Sequence, residues 1–237
     1  ADASVLGSRP IVVIGDVGVG KTSFFENLYQ QLSDSNGENS YFIHVNLGTK
    51  ASLADNLKNY VLGAVGGVLR NEYDVDINSA EFVRSIYYAE LKDFDRSVEG
   101  SLKDIDGDAY QKAKISFLAN KVLNKDQHLH AALGHLSKGR NKQIILVIDN
   151  ADQRNFETQQ EAFLIAQELA ATRNMVVFVA IRPSTFYQSK LTGALSGYQN
   201  RVLTISPPPA DEVIRRRIGF AVRVAEGEVA PQALQGI

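Results

Sequence analysis

Three glycines within six positions, followed at once by Lys-Thr-Ser, constrain this chain more than any other feature. The stretch reads IVVIGDVGVGKTSFFENL from Ile11 to Leu28 and fits G-x-x-x-x-G-K-[ST] without a gap. An apolar run before it and an apolar-patterned segment after it make a strand, a tight loop and a helix. Glycine at Gly15, Gly18 and Gly20 leaves main-chain amides uncovered, so a polyanion can be approached from several sides. The helix that starts near Lys21 points its unpaired N–H groups and the positive end of its dipole at the same anion. The spacing predicts that Gly15, Asp16, Val17, Gly18, Val19, Gly20, Lys21, Thr22 and Ser23 hold a nucleotide's phosphates. Lys21 would neutralise the β- and γ-phosphates, and the Thr22 hydroxyl would ligate Mg²⁺.

Such a loop works with an acid at the C-terminal tip of a neighbouring strand, which orients the metal and prepares water. QIILVIDNADQR supplies one: five apolar residues end in Asp149. The next position is Asn150, an amide that orients water by hydrogen bonding but does not accept its proton at neutral pH. Asp152, three positions beyond Asp149, suits a cap or turn residue before a helix beginning near Glu157.

Short apolar runs recur at Pro10–Ile14, Tyr41–Leu47, Ile144–Ile148, Met175–Ile181 and Val202–Ile205. Continuous apolar character rich in Val and Ile predicts strands buried on both faces, as in a parallel sheet covered by helices. Helical periodicity spans Thr22–Leu32 and Glu157–Ala171, and the alternation of the two patterns predicts a doubly wound α/β sheet. Between the second and third strands a helical insertion covers about residues 50–141, with helices expected near Ser52–Leu69, Ser79–Val98, Ala109–Leu123 and Gln127–Leu136. The first holds GAVGGV, whose glycines each cost a helix up to about 1 kcal/mol relative to alanine; a kink or a close helix contact is expected there. The core is expected to span residues 1–209. The Pro-rich ISPPPADEV would be a joint, and residues 210–237 the start of a lid or downstream helical segment. A first residue other than methionine and an indistinct end suggest a piece of something longer.

The loop motif, the acidic strand and their order resemble the P-loop NTPases of the additional-strand division, in particular the STAND, KAP and AAA+ groups, over roughly Arg9 to Arg223. The resemblance implies a three-layer α/β/α fold with a mainly parallel five-stranded sheet in the order 5-1-4-3-2. It implies ATP and Mg²⁺ as ligands, and Arg182, at the tip of MVVFVAIRP, as a sensor of the γ-phosphate. Many relatives carry glutamate as the base where this chain has Asn150; the resemblance of DNAD to the acidic DDLD signature of KAP proteins implies either that Asp152 substitutes for it or that hydrolysis is slow. The leading expectation is a cytoplasmic Mg-ATP-dependent switch acting with downstream domains or other subunits. A DNA-directed ATPase and a nucleotide-binding scaffold with negligible hydrolysis are the alternatives.

Net charge of -2 argues against a dedicated nucleic-acid binder, although a local basic face stays open. The absence of cysteine removes disulfides, thiolate zinc sites and cysteine nucleophiles. No apolar run is long enough for a membrane span. His128, His130 and His135 are expected to pack or face solvent rather than bind metal, since His130 points away from the other two. DIDGDAYQKAKI lacks the glycine and the glutamate of a calcium loop and is read as a turn capping a helix. Arg215, Arg216 and Arg217 fan across about 200° of a helix, a solvated face from which Arg217 could reach nucleotide. The segment around Thr185, Tyr187, Lys190 and Tyr198 interleaves basic and aromatic residues, as a partner-contact or nucleic-acid loop does, but is more often a helix and connection packing beside the sheet.

Overall fold

A computed structural model describes residues 9–36, 39–48, 56–172, 175–198, 201–207 and 209–228. Five strands, β1 (Ile11–Ile14), β2 (Ser40–Asn46), β3 (Gln143–Asp149), β4 (Met175–Ile181) and β5 (Arg201–Thr204), form one sheet. Its order is β2-β3-β4-β1-β5, the expected order read from the opposite edge. Every pairing is parallel, with Ile11 opposite both Phe178 and Arg201, and Asn46 opposite Asp149.

Both faces of β1, β3 and β4 are covered, which is why these strands are continuously apolar, whereas the edge strand β5 departs from the expected two-sided burial and leaves Val202 and Thr204 exposed. On one face Val12, Ile14, Ile43, Val45, Leu146 and Ile148 join a core completed by α2 (Leu57–Tyr73), α7 (Lys125–Gly139) and α8 (Phe156–Ala170). On the other, Val13, Phe42, Ile145, Val147 and Ala180 pack with Phe25 of α1 (Lys21–Asn36). Each fully buried Val, Leu, Ile or Phe contributes roughly 1.5–3 kcal/mol.

Between β2 and β3 lie α2, α3 (Ala80–Ile86), α4 (Tyr88–Asp95), α5 (Leu102–Ile105), α6 (Gly107–Leu123) and α7. Helix α2 begins at a cap, with Asn56 accepting from the Asn59 amide, while positions 52–55 of the expected helix lie outside the described residues. The single helix expected over Ser79–Val98 is broken at Tyr87, whose buried ring stacks on His128 at 5.8 Å. Asp106 accepts from the Ala109 amide at 3.0 Å and so starts α6, in agreement with the capping reading. The GAVGGV glycines produce neither a break nor a tight helix contact. Helix α2 runs through them, a side chain at Gly63 or Gly67 would meet open space, and they line a cleft of about 340 Å³ with Asn78, Lys125 and His128.

After β4 come α9 (Pro183–Thr192), β5 and α10 (Ala210–Ala225). Lys190 donates to the Tyr198 carbonyl at 3.0 Å and Tyr198 packs edge-on against Phe163, so this segment does lie beside the sheet. Helix α10 buries no residue and leaves Ile214, Ile218 and Val222 exposed along one stripe. Among the described residues no helix is long and apolar enough to cross a membrane.

The three clustered histidines do not converge. His135 packs on Phe82, and His130 lies among carboxylates. His128 is 2% exposed, with Nε2 3.0 Å from the Ile77 carbonyl and Nδ1 3.1 Å from the Tyr87 hydroxyl. The carbonyl only accepts, so the neutral ring donates from Nε2 and accepts at Nδ1. Burial lowers its pKa below the ordinary 6.5, against the raising effect of the Ile77 bond. A depressed folded-state pKa gives stability that is complete above pH 6.5 and is lost as pH falls through the folded value. The thermal midpoint should therefore drop between about pH 7 and pH 5. His128→Gln should start lower at neutral pH and show a shallower drop, measured by circular dichroism melts across that range.

Candidate functional site

In a parallel sheet every strand ends at the same edge, and the switch in connection direction beside β1 opens a crevice there. Here β1 delivers the loop of residues 15–20, and β3 delivers Asp149. Gly18 and Gly20 have φ of 79° and 98°, a region that side chains strongly disfavour. A side chain at Gly15 would come within 2.9 Å of the Ile205 carbonyl and 2.7 Å of Val19, so only glycine fits between loop and β5.

Lys21 is 6% exposed and turns back over its own loop, donating to the Gly15 carbonyl at 2.7 Å and the Asp16 carbonyl at 2.9 Å. Its third partner is Asp152, 3.0 Å away, whose side chain is 3% exposed. Asp152 stands in a short 3-10 turn, Ala151–Gln153, and does not cap α8; Asn155 does, accepting from the Thr158 amide at 2.9 Å. The second carboxylate oxygen of Asp152 is buried without a hydrogen-bond partner.

Asp149 is fully buried. One of its oxygens accepts from the Thr22 hydroxyl at 2.8 Å and faces His44 Nε2 at 3.3 Å, and the other accepts from the Asn150 amide at 2.7 Å. Burial by itself raises the carboxyl's pKa. The bonds from His44, Thr22 and Asn150 outweigh that effect and hold it below the usual 3.8. A hydroxyl and an ionised carboxylate on facing elements form an all-oxygen donor pair suited to a small hard cation such as Mg²⁺.

Asn150 adopts φ 59°, a left-handed conformation that asparagine tolerates better than most side chains. Its amide is engaged on both sides, donating to Asn46 at 2.8 Å and accepting from Gln153 at 2.8 Å. Arg154 donates to the Leu47 carbonyl, tying the turn to the end of β2. Arg182 follows β4 at the same sheet edge; its side chain is exposed, and its amide donates to buried Gln159 at 3.1 Å. Arg217 is exposed on α10.

Two residues of the site, His44 and Asn46, are not among those expected from the sequence. The signal is present in YFIHVNL: Tyr41, Ile43 and Val45 fill one face of β2, while polar residues interrupt the other at the level of β3's acidic end. Elsewhere, Asp126, His130 and Glu168 bring ligand atoms within 4.8 Å of one another. Lys58 already neutralises both carboxylates, at 2.7 and 2.8 Å, which makes this an ion-pair network joining α2, α7 and α8.

A buried ion pair that loses one partner leaves an uncompensated charge, whereas apolar replacement of both is close to neutral. Lys21→Met should lower unfolding free energy by about 3 kcal/mol in urea titrations, and Lys21→Met combined with Asp152→Leu should recover most of the loss.

A family model described as an AAA domain matches residues 6–188. No curated protein matches the chain significantly. Among solved structures, the chain is similar to Cdc6p from Pyrobaculum aerophilum at a TM-score of 0.47 and 13% identity. That match covers 88% of this chain and 42% of the other, so the chain spans less than half that protein's length.

Proposed function

The chain belongs to the AAA domain family of P-loop ATPases, and from that premise we propose that it is a Mg-ATP switch module that hydrolyses slowly. The observation that carries this reading is the buried meeting of Lys21, Thr22, Asp149 and Asp152 at one edge of the sheet. The amides from Gly15 to Ser23 and the start of α1 receive the triphosphate, and Lys21 exchanges Asp152 for phosphate oxygens. Thr22 and Asp149 would hold Mg²⁺, which supplies positive charge against the phosphate oxygens as the terminal phosphoryl group leaves.

Once Lys21 has moved to phosphate, Asp152 is a carboxylate without its counter-ion. It can accept a proton from water as the water oxygen bonds to the γ-phosphorus and the bond to the β-phosphate oxygen breaks. Asn150, held by Asn46 and Gln153, contributes shape and orientation to the turn. Arg182 supplies a positive charge at the same edge to sense the γ-phosphate.

The switch lies in the Lys21–Asp152 pair, formed when no triphosphate faces the lysine and open when one does. Domains or subunits joined beyond α10 would read that change, in the manner of STAND proteins. A cytoplasmic setting, where Mg-ATP is supplied, goes with this reading.

Calorimetric titration and phosphate release test it on the wild type, Lys21→Met, Asp149→Ala and Asp152→Asn, with folding checked by circular dichroism. Lys21→Met should weaken Mg-ATP binding at least about tenfold. Asp149→Ala and Asp152→Asn should cut turnover on the order of 100-fold, with Asp152→Asn binding nucleotide at least as tightly as wild type. If none of the three changes binding or turnover, the reading fails. Background turnover with intact wild-type binding would leave a nucleotide-binding scaffold.

A further inference from the structure

We infer that His44 is a positioning residue for Asp149, fixing the orientation in which that carboxylate meets the divalent cation. The inference rests on the Mg-ATP reading above. His44 lies opposite Val147 in the β2–β3 register and reaches diagonally along the face to Asp149, two residues further on. Diagonal neighbours at that offset are within reach of a long side chain. Because an ionised carboxylate only accepts, the imidazole proton sits on Nε2 and the ring donates.

The alternation of β2 makes this a costly place for a polar ring. Phe42, on the same strand face, packs in the core with Phe25 and Val147. An apolar residue at position 44 would continue that layer. Histidine instead adds a second donor to the carboxylate oxygen that the Thr22 hydroxyl already satisfies, which fixes its direction rather than its burial.

Asp149 is thereby held from three elements: Thr22 on α1, His44 on β2 and the Asn150 amide in the turn after β3. Thr22 has a second task in the proposed site, since its oxygen is also a metal ligand, and the Asn150 amide holds the other carboxylate oxygen. His44 has neither constraint, and it secures the same oxygen that faces Thr22. Donors of this kind behind a metal-binding carboxylate are worth roughly 10–100-fold in metal affinity.

The ring is not required to fill space. Its side chain is 33% exposed and lines a cleft of about 200 Å³ with Phe25, Glu26, Tyr29, Phe42 and Glu72. Removing it opens an existing cleft rather than a sealed cavity, so positioning can be separated from packing.

The test compares wild type with His44→Ala, His44→Phe and His44→Gln in the full 237-residue chain. The Gln amide presents an N–H near the place of Nε2, whereas Phe fills the space without a donor. Three quantities are measured: Mn²⁺ affinity of the ATP-loaded protein by electron paramagnetic resonance, ATP affinity in EDTA, and the thermal midpoint. Ala and Phe should weaken Mn²⁺ binding about tenfold while ATP affinity in EDTA and the midpoint stay near wild type. Gln should return Mn²⁺ affinity to within about threefold of wild type.

Wild-type Mn²⁺ affinity in Ala and Phe overturns the role of His44 and leaves the Mg-ATP reading standing. A Gln variant no better than Phe, or loss of metal-free ATP binding or stability across the variants, shows a structural role and overturns it as well. If the wild type binds neither ATP nor Mn²⁺, the inference falls together with the reading beneath it.

Discussion

Parallel pairing is the constraint from which the site follows. A strand that must be followed by a parallel partner needs a crossover, and crossovers cover both faces of the sheet while sending every strand out at one edge. Chemistry dispersed widely along the sequence is gathered there without any one segment having to travel: the glycine loop from β1, Asn46 from β2, Asp149 from β3 and Arg182 from β4. The helical insertion between β2 and β3 leaves this arrangement intact because those strands remain paired over Ser40–Asn46.

Within that edge, charge is held in two layers of different character. Asp149 is surrounded by hydrogen-bond donors and stays ionised through them, whereas Lys21 and Asp152 depend on each other. The first layer is rigid, tied to three elements. The second is a mutually neutralising pair, with the lysine also donating to two backbone carbonyls.

The glycine loop and the acidic strand end were legible because each is written in consecutive residues, with backbone requirements that few residue types meet. The identities of β1, β3 and β4 were legible for a related reason: burial on both faces imposes nearly continuous apolar residues. His44 was not, since its contact with Asp149 exists only after two strands far apart in sequence are set in register. Asp152 was ambiguous for the opposite reason, that a local role and a long-range role both suit an aspartate just before a helix. Asn155 takes the local role and leaves Asp152 to Lys21. The break at Tyr87 lay beyond reach because helical periodicity continues across it, and the break accompanies a tertiary contact with His128.

The strand order also bears on how the molecule is made. Of the five strands described, β1 is the first to be synthesised, yet both of its neighbours, β4 and β5, come from the last part of the described chain. Until residues 175–204 have emerged, the glycine loop follows an apolar strand that lacks both of its partners, while β2, the insertion helices and β3 can already assemble. Long-range parallel pairing of this sort is slow to nucleate and leaves sticky backbone waiting. The part of the chain with the most recognisable sequence therefore depends for both of its sheet partners on the last two strands described.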